Sequence, residues 1–437
     1  MTKQEAREVH ESEVRFSGYL DEIVGVLRDA HRVEPAKSYC TALLLPGERK
    51  SVEPMAARMA PERVQAKHQS MHHVVANAPW DDAAVLEAVR EQVVPAIERH
   101  GPISYWIVDD SGMPKQGRHS VGVARQYCGN LGKRDNCQMA VSLSVANDQA
   151  SLPIAWRLYL PQDWAADGKR RQAAGMPEEI VFATKPAIAL AQIQQALADG
   201  VPTGIVLADA GYGVDTAFRV GVSELGLSYV LGVQSSISVW APGTAPLPPL
   251  PWSGRGRPPS RLRRDDDHQP VSAKDLAISL PASAWRRVSW RQGSQGDLVS
   301  RFAALWIRPA HRDEQRSEPW PEEWLLIEWP KGEAEPTHYW LSNLPPRTGL
   351  AKLVRIAKAR WLIERDCEEL KQEIGLDHYE GRGWRGFHHH ASLCIAAYGF
   401  LVAERCLLPP RRQFIRERIE TPVLPRDFRP RGAAHPA

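Results

Sequence analysis

Apolar positions recur at three- and four-residue steps through about the first hundred residues. Val9, Phe16, Tyr19, Leu20, Ile23, Val24 and Leu27 form one stripe, and Val85, Leu86, Val89, Val93, Val94 and Ile97 form another after the polar start Trp80-Asp81-Asp82. This is the period of amphipathic helices. Pro46-Gly47 and Pro54 punctuate shorter pieces between them, so the pattern predicts a helical unit over 1–101. From 102 the texture changes to short apolar runs bounded by turns. Segments 105–108, 139–145, 154–160, 204–207 and 229–233 read as strands, and 186–197 and 216–225 as helices. Strands that pair in succession and then alternate with helices predict an α/β unit over 102–233, a mixed sheet covered by helices.

A further change occurs over 234–346. A Pro/Gly/Arg-rich stretch, 251–267, precedes alternating or aromatic strands in WRRVSWRQG, SRFAALWIR, EEWLLIEWP and THYWLSNLP. This predicts a β-rich insertion. The unit 347–407 is expected to hold one long helix, 350–374, stopped by Gly375, and a second over 387–406. The tail 408–437 reads as an extended arm rich in Pro and Arg.

Composition narrows the class. A chain of 437 residues with 43% apolar positions can bury a large core divided into several units. Its net charge of +3 names no partner, so only the local distribution of charge is informative. Six cysteines with no CxxC pair suggest neither a zinc site nor a disulfide framework. No apolar run reaches the roughly 18 residues of a spanning helix, and the charged start lacks a secretory signal. The expectation is a cytoplasmic protein with no membrane partner. Nine of the 15 tryptophans fall in 234–346: Trp240, Trp252, Trp285, Trp290, Trp306, Trp320, Trp324, Trp329 and Trp340.

The candidate chemistry lies in acids at element ends. Asp109-Asp110 ends the run YWIVDD, Asp209 ends GIVLAD before glycines, and Glu364 lies in the helical segment KARWLIERDCEELKQEIG. Two strand-borne carboxylates and one from a helix form a hard-oxygen donor set suited to a pair of Mg²⁺ ions. On an ideal helix Arg360 and Glu364 differ by only about 40° around the axis, and Glu364 and Lys371 by about 20°. One face would therefore carry Arg, Glu and Lys in a row, the cations placed to hold DNA phosphates. Lys115, Arg118 and His119 are candidates for an anion-binding turn. His388, His389 and His390 are consecutive on a helix, point in three directions and read as packing or DNA-facing residues.

The segments WIVDDSGMPKQGRHSVGVARQYCGNLGKRDNCQMAVSL, VLADAGYG, YWLSNLP and RWLIERDCEELKQEIGLDHYEGRGWRGFHHHASLCIAAYGFL resemble insertion-sequence transposases of the DDE class. More narrowly they are similar to the group named after insertion sequence 701. The resemblance implies an RNase H-like core, a helical N-terminal DNA-binding domain and a β insertion before the glutamate helix. It places the catalytic and metal-binding triad on Asp110, Asp209 and Glu364, and the signature cations on Arg360 and Lys371. The signature tyrosine falls on Ala357. Asp109 and Asp110 point to opposite faces of a strand, so only one can face the metals; Asp110 is assigned because the family acid precedes a small hydroxyl residue, here Ser111.

The implied activity is cleavage at element ends and strand transfer by a 3′-hydroxyl, using two Mg²⁺ ions with Mn²⁺ as substitute. The implied partners are double-stranded DNA at terminal inverted repeats and at the target, bound by a dimer or higher assembly. Arg255, Arg257 and Arg261 in the insertion loop and Trp324 on its strand are expected to contact DNA. The competing expectation is an inactive, transposase-derived DNA-binding protein.

Overall fold

The computed structural model describes residues 3–293 and 296–407. The basic tail expected over 408–437 lies outside them. The N-terminal unit contains α1 (Lys3–Gly25), α2 (Ala30–Leu44), α3 (Val52–Met59), α4 (Val64–His72) and α5 (Asp82–Glu98). Asp29 and Asp81 cap α2 and α5 by accepting from the backbone N–H groups of His31 and Ala83, satisfying donors that a helix start leaves open.

Four strands follow: β1 (Tyr105–Pro114), β2 (Ala124–Cys128), β3 (Lys133–Ala146) and β4 (Ser151–Tyr159). Beyond the short α6 (Gln162–Ala166) and α7 (Gly168–Ala173), helix α8 (Lys185–Ala198) leads to β5 (Ile205–Ala208). A single turn, α9 (Ala210–Gly213), and α10 (Thr216–Glu224) then lead to β6 (Tyr229–Val233). β3 pairs antiparallel with β4 and β1, β1 pairs parallel with β5, and β5 pairs parallel with β6. The order β4–β3–β1–β5–β6, antiparallel then parallel and flanked by helices, is RNase H-like.

The strands of 234–346 continue this same sheet. They are β7 (Ser238–Trp240), β8 (Val271–Ser272), β9 (Arg286–Gly293), β10 (Gly296–Pro309), β11 (Glu323–Trp329) and β12 (His338–Ser342), with α11 (Ala273–Ile278) after β8. β12 runs antiparallel to β6, Val230 opposite Ser342 and Val233 opposite Tyr339, and β11 and β10 extend outward from it. Within the Arg-rich loop, Arg264 is not simply solvated. It bonds the fully buried Asp313, which also accepts from Trp240 Nε1 at 2.5 Å.

The single helix expected over 350–374 is broken. Helix α12 (Leu350–Lys358) ends at Ala359, α13 (Trp361–Glu369) begins after Arg360, and Leu370–Ile374 form a π-helical turn before Gly375, whose φ is 81°. The last helix, α14 (Trp384–Arg405), is buried along Gly386–Val402, as expected of a helix apolar all round. His388, His389 and His390 are part of that packing, at most 6% exposed. His389 stacks on Trp80 with centroids 3.5 Å apart.

The sheet has a core on each face. Trp106 and Val108 of β1 and Val206 and Ala208 of β5 join the larger cluster with α5, α8, α10 and α14. Tyr105, Ile107 and Leu207 join a second cluster with Leu353, Val354, Leu362 and Ile363 of α12 and α13. Strand alternation thus assigns odd and even positions of β1 to different helical layers.

Candidate active site

Alternation carries past Val108 and separates the two aspartates. Asp109 follows the odd positions toward α13, where its Oδ1 lies 3.0 Å from Arg360 Nη1. Ser111, on the same face, donates to Cys367 Sγ at 3.3 Å. Asp110 turns to the other face, where Lys185 at the start of α8 and the Tyr212 hydroxyl from α9 both bond its carboxylate. Desolvation raises the Tyr212 phenol well above its usual value, and Asp110 adds to the shift.

Asp209 stands directly after β5, where its Oδ1 accepts from Gly211 N at 2.8 Å. Close backbone packing fixes this turn. A Cβ on Gly213 would collide with the Gly232 carbonyl of β6, and one on Gly232 would reach Ala210 N at 3.0 Å. Glycine is therefore required at 213 for α9 to lie against the sheet, and a side chain at 232 would have to push the α9 backbone aside.

Glu364 projects from α13 with 58% of its side chain exposed and accepts from Arg360 Nη2 at 2.9 Å. Arg360 thus joins Asp109 to Glu364. Desolvation pushes the Asp109 carboxyl up to about 6, while Arg360 opposes that shift and Asp209 and Asp110 add to it. From behind, α13 is held by the fully buried Asp366, whose Oδ1 accepts from Ser151 Oγ at 2.6 Å and Tyr398 OH at 2.8 Å. This fixes the rotation of α13 and leaves Glu364 facing outward.

The other expected site residues are dispersed. Lys371 is only 9% exposed, because it lies in the π-helical turn, which breaks the ideal 100° progression. Arg255, Arg257 and Arg261 are exposed in the insertion loop and, among the described residues, form no ion pair with the carboxylates. Trp324 donates its Nε1–H to Pro345 O at 3.2 Å and stands edge-on to Trp306 at 5.1 Å. Lys115 is spent on structure, donating to the carbonyls of Asp377 at 3.3 Å and Tyr379 at 2.6 Å. Ala357 is buried in the second cluster; the phenol beside the acids is that of Tyr212. Lys185 was not marked by a motif, since it reaches Asp110 only through the fold, and although Tyr212 lies in the segment VLADAGYG, nothing in that segment marked its phenol as a partner of Asp110.

Carboxylates are hard-oxygen donors of the type Mg²⁺ prefers, so the donor chemistry fits. Their negative charge is met by cations of the chain, Arg360 for Asp109 and Glu364 and Lys185 for Asp110. Among the described residues, no three His, Cys, Asp or Glu side chains are grouped closely enough to hold a metal as they stand. No described helix is long and apolar enough to cross a membrane.

Over 169 residues, 38% of this chain and 41% of the relative, the sequence is 30% identical to the "Probable transposase for insertion sequence element IS701" of Microchaete diplosiphon. The match thus spans less than half of that relative's length. The family model "DDE superfamily endonuclease" matches residues 22–297. A match over well more than half of the chain makes this protein a member of the DDE superfamily endonucleases.

Proposed function

We propose that the protein is a DNA transposase that cleaves at the ends of an insertion sequence and joins the released 3′-hydroxyl to target DNA. The observation that carries the reading is the convergence of acids from β1, from the end of β5 and from α13 around Arg360. The DDE family and the similarity to a probable transposase support it.

Asp209 and Glu364 would hold two divalent ions together with one acid of the Asp109–Asp110 pair. Asp110 is the member that matches the family pattern, whereas Asp109 is the one that shares Arg360 with Glu364. Mg²⁺, or Mn²⁺ in its place, would supply Lewis-acid activation of water and of the 3′-hydroxyl for in-line displacement. Arg360 neutralises the acids before DNA arrives, and its forked donors suit a phosphate. Lys185 and Tyr212 orient Asp110, and Asp366 sets the outward face of Glu364. Duplex DNA at terminal inverted repeats and at the target would be the substrate, held by a dimer or larger assembly because two ends must meet. Lys371, Arg255, Arg257, Arg261 and Trp324 remain proposed DNA contacts.

The test is cleavage of element-end DNA with Mg²⁺ or Mn²⁺ by purified wild type, Asp109→Ala, Asp110→Ala, Asp209→Ala and Glu364→Ala. Activity is expected to vanish for Asp209→Ala and Glu364→Ala, and wild-type rates in either would refute the assignment. Comparison of the two β1 variants identifies the first ligand. The second reading, an inactive DNA-binding descendant, is favoured by the acids' engagement with Arg360 and Lys185. It predicts salt-sensitive DNA binding with no cleavage by the wild type.

A further inference from the structure

Strands β9 and β10 pair with a break in register: Leu298 lies opposite Arg291, but Val299 lies opposite Ser289. Trp290 is therefore an extra residue on β9. A bulge of this kind bends its strand and re-aims side chains. Simple alternation would send Trp290 and Arg291 to opposite faces, yet both reach the layer of α12 and α13. The Trp290 ring stands edge-on to Phe302 at 5.6 Å, with Lys358 Nζ 4.9 Å from its centroid. The Arg291 guanidinium lies 4.0 Å from the centroid of Trp361.

Trp361 precedes Glu364 by three residues and Arg365 by four, so the three share one face of α13. The Arg365 guanidinium is 5.4 Å from the same indole. Two cations thus crowd one ring. Desolvation lowers the Arg291 pKa and Arg365 lowers it further, while Glu364 acts in the opposite sense. Among the described residues neither arginine bonds a carboxylate, and the Nε atoms of both are buried without a hydrogen-bond partner. Glu364, which acts on Arg291, accepts its hydrogen bond from Arg360 instead, and Asp366, which interacts with Arg365, accepts from Ser151 and Tyr398. Cation–π attraction contributes only about 0.5–2 kcal/mol per pair. An anion bridging the two forks would add charge-assisted hydrogen bonds and relieve their repulsion.

We propose that Arg291 and Arg365, steadied by Trp361, clamp a backbone phosphate of the DNA strand that passes beside Glu364. The clamp rests on the transposase reading and adds to it a contact that the insertion makes across to the glutamate helix. The alternative, a brace that merely fastens β9 to α13, would affect stability but not the electrostatics of binding.

The test is the affinity for a labelled duplex copied from the DNA bordering the coding sequence, titrated against ionic strength. It compares wild type, Arg291→Gln, Arg365→Gln, the double variant and Arg291→Lys, with melting temperatures measured alongside. Because the two arginines neutralise one phosphate between them, the double variant is expected to reduce the slope of log affinity against log salt by about 1, and each single Gln variant by a measurable part of that. Arg291→Lys is expected to keep the wild-type slope. Wild-type slopes in folded Gln variants would overturn the clamp alone. Absence of salt-dependent binding by the wild type would overturn both the clamp and the transposase reading. Testing the arginines singly keeps the result decisive if one variant fails to fold.

Discussion

Arg360 divides its guanidinium between Asp109 at 3.0 Å and Glu364 at 2.9 Å, joining the central strand of the sheet to the glutamate helix. The two acids differ in environment: 15% of the Asp109 side chain is exposed, against 58% for Glu364. Removing the cation leaves a largely desolvated carboxylate unmatched on one side and a solvated one on the other. Arg360→Met is expected to cost about 2–4 kcal/mol of stability at neutral pH, mostly through Asp109. Glu364→Gln is expected to cost less than about 1 kcal/mol, since exposed pairs contribute little. Urea denaturation of the two variants measures both, and equal losses would contradict this partition.

Lys358 ties the insertion to α12. Its Nζ lies 2.5 Å from Glu328 Oε2 on β11 and sits over Trp290, Phe302 and Trp340 at 4.9–5.8 Å. Burial opposes ionisation of Glu328, but hydrogen bonds from His338 and Lys358 bring its pKa below the usual value. Lys358→Met would strand that acid and is expected to cost about 3 kcal/mol. Adding Glu328→Gln should restore part of the loss. A double-mutant cycle by chemical denaturation therefore predicts a coupling of about 1 kcal/mol or more.

His390 supplies a pH dependence. Its Nδ1 accepts from Tyr39 OH at 2.8 Å and its Nε2–H donates to Gly375 O at 3.1 Å, a satisfied neutral tautomer. Burial pushes its pKa down to about 4. The unfolded chain protonates near the ordinary value of about 6.5, so it binds the extra proton first as pH falls. The stability associated with the neutral ring is therefore complete above about 6.5 and lost as pH drops toward 4, up to about 3 kcal/mol. Wild type should lose more stability than His390→Gln between pH 7 and 4.5. Parallel pH–stability curves would refute this.

Gly213 tests the turn that carries Asp209. A methyl group there would meet the Gly232 carbonyl, a backbone atom of a central strand. Gly213→Ala is expected to destabilise the protein by about 1–3 kcal/mol or more and to displace Asp209. Gly211→Ala, whose Cβ would meet only the Asp209 carboxylate at 3.1 Å, should be milder. Thermal unfolding of the pair ranks them.

Local patterns in the sequence revealed the longer strands and the N-terminal helices because each contains enough apolar residues to display its own period, whereas the short β2, β7 and β8 do not. Features that depend on distant partners were not readable this way. The pairing of Val230 with Ser342 joins strands more than a hundred residues apart, so the insertion reads as a separate unit although it extends the sheet. The break at Ala359 and Arg360 contains neither Pro nor Gly to mark it. Both faces of β1 are buried, so alternation separates Asp109 from Asp110 without saying which layer contains α13. The acids themselves were legible as strand-end and helix positions. Of their present partners, Arg360, Gly211 and Tyr212 lie within the quoted segments, but Lys185 comes from an element too far away for any motif to include it.

The ladder between β6 and β12 also gives the insertion a protective role apart from DNA. A shortened chain lacking 234–346 would leave the N–H and C=O groups of β6 as an open edge of the sheet, a template for pairing with other chains. Residues that look like an accessory in the sequence thus shield the core from aggregation, and loss of that segment would be expected to compromise solubility as well as activity.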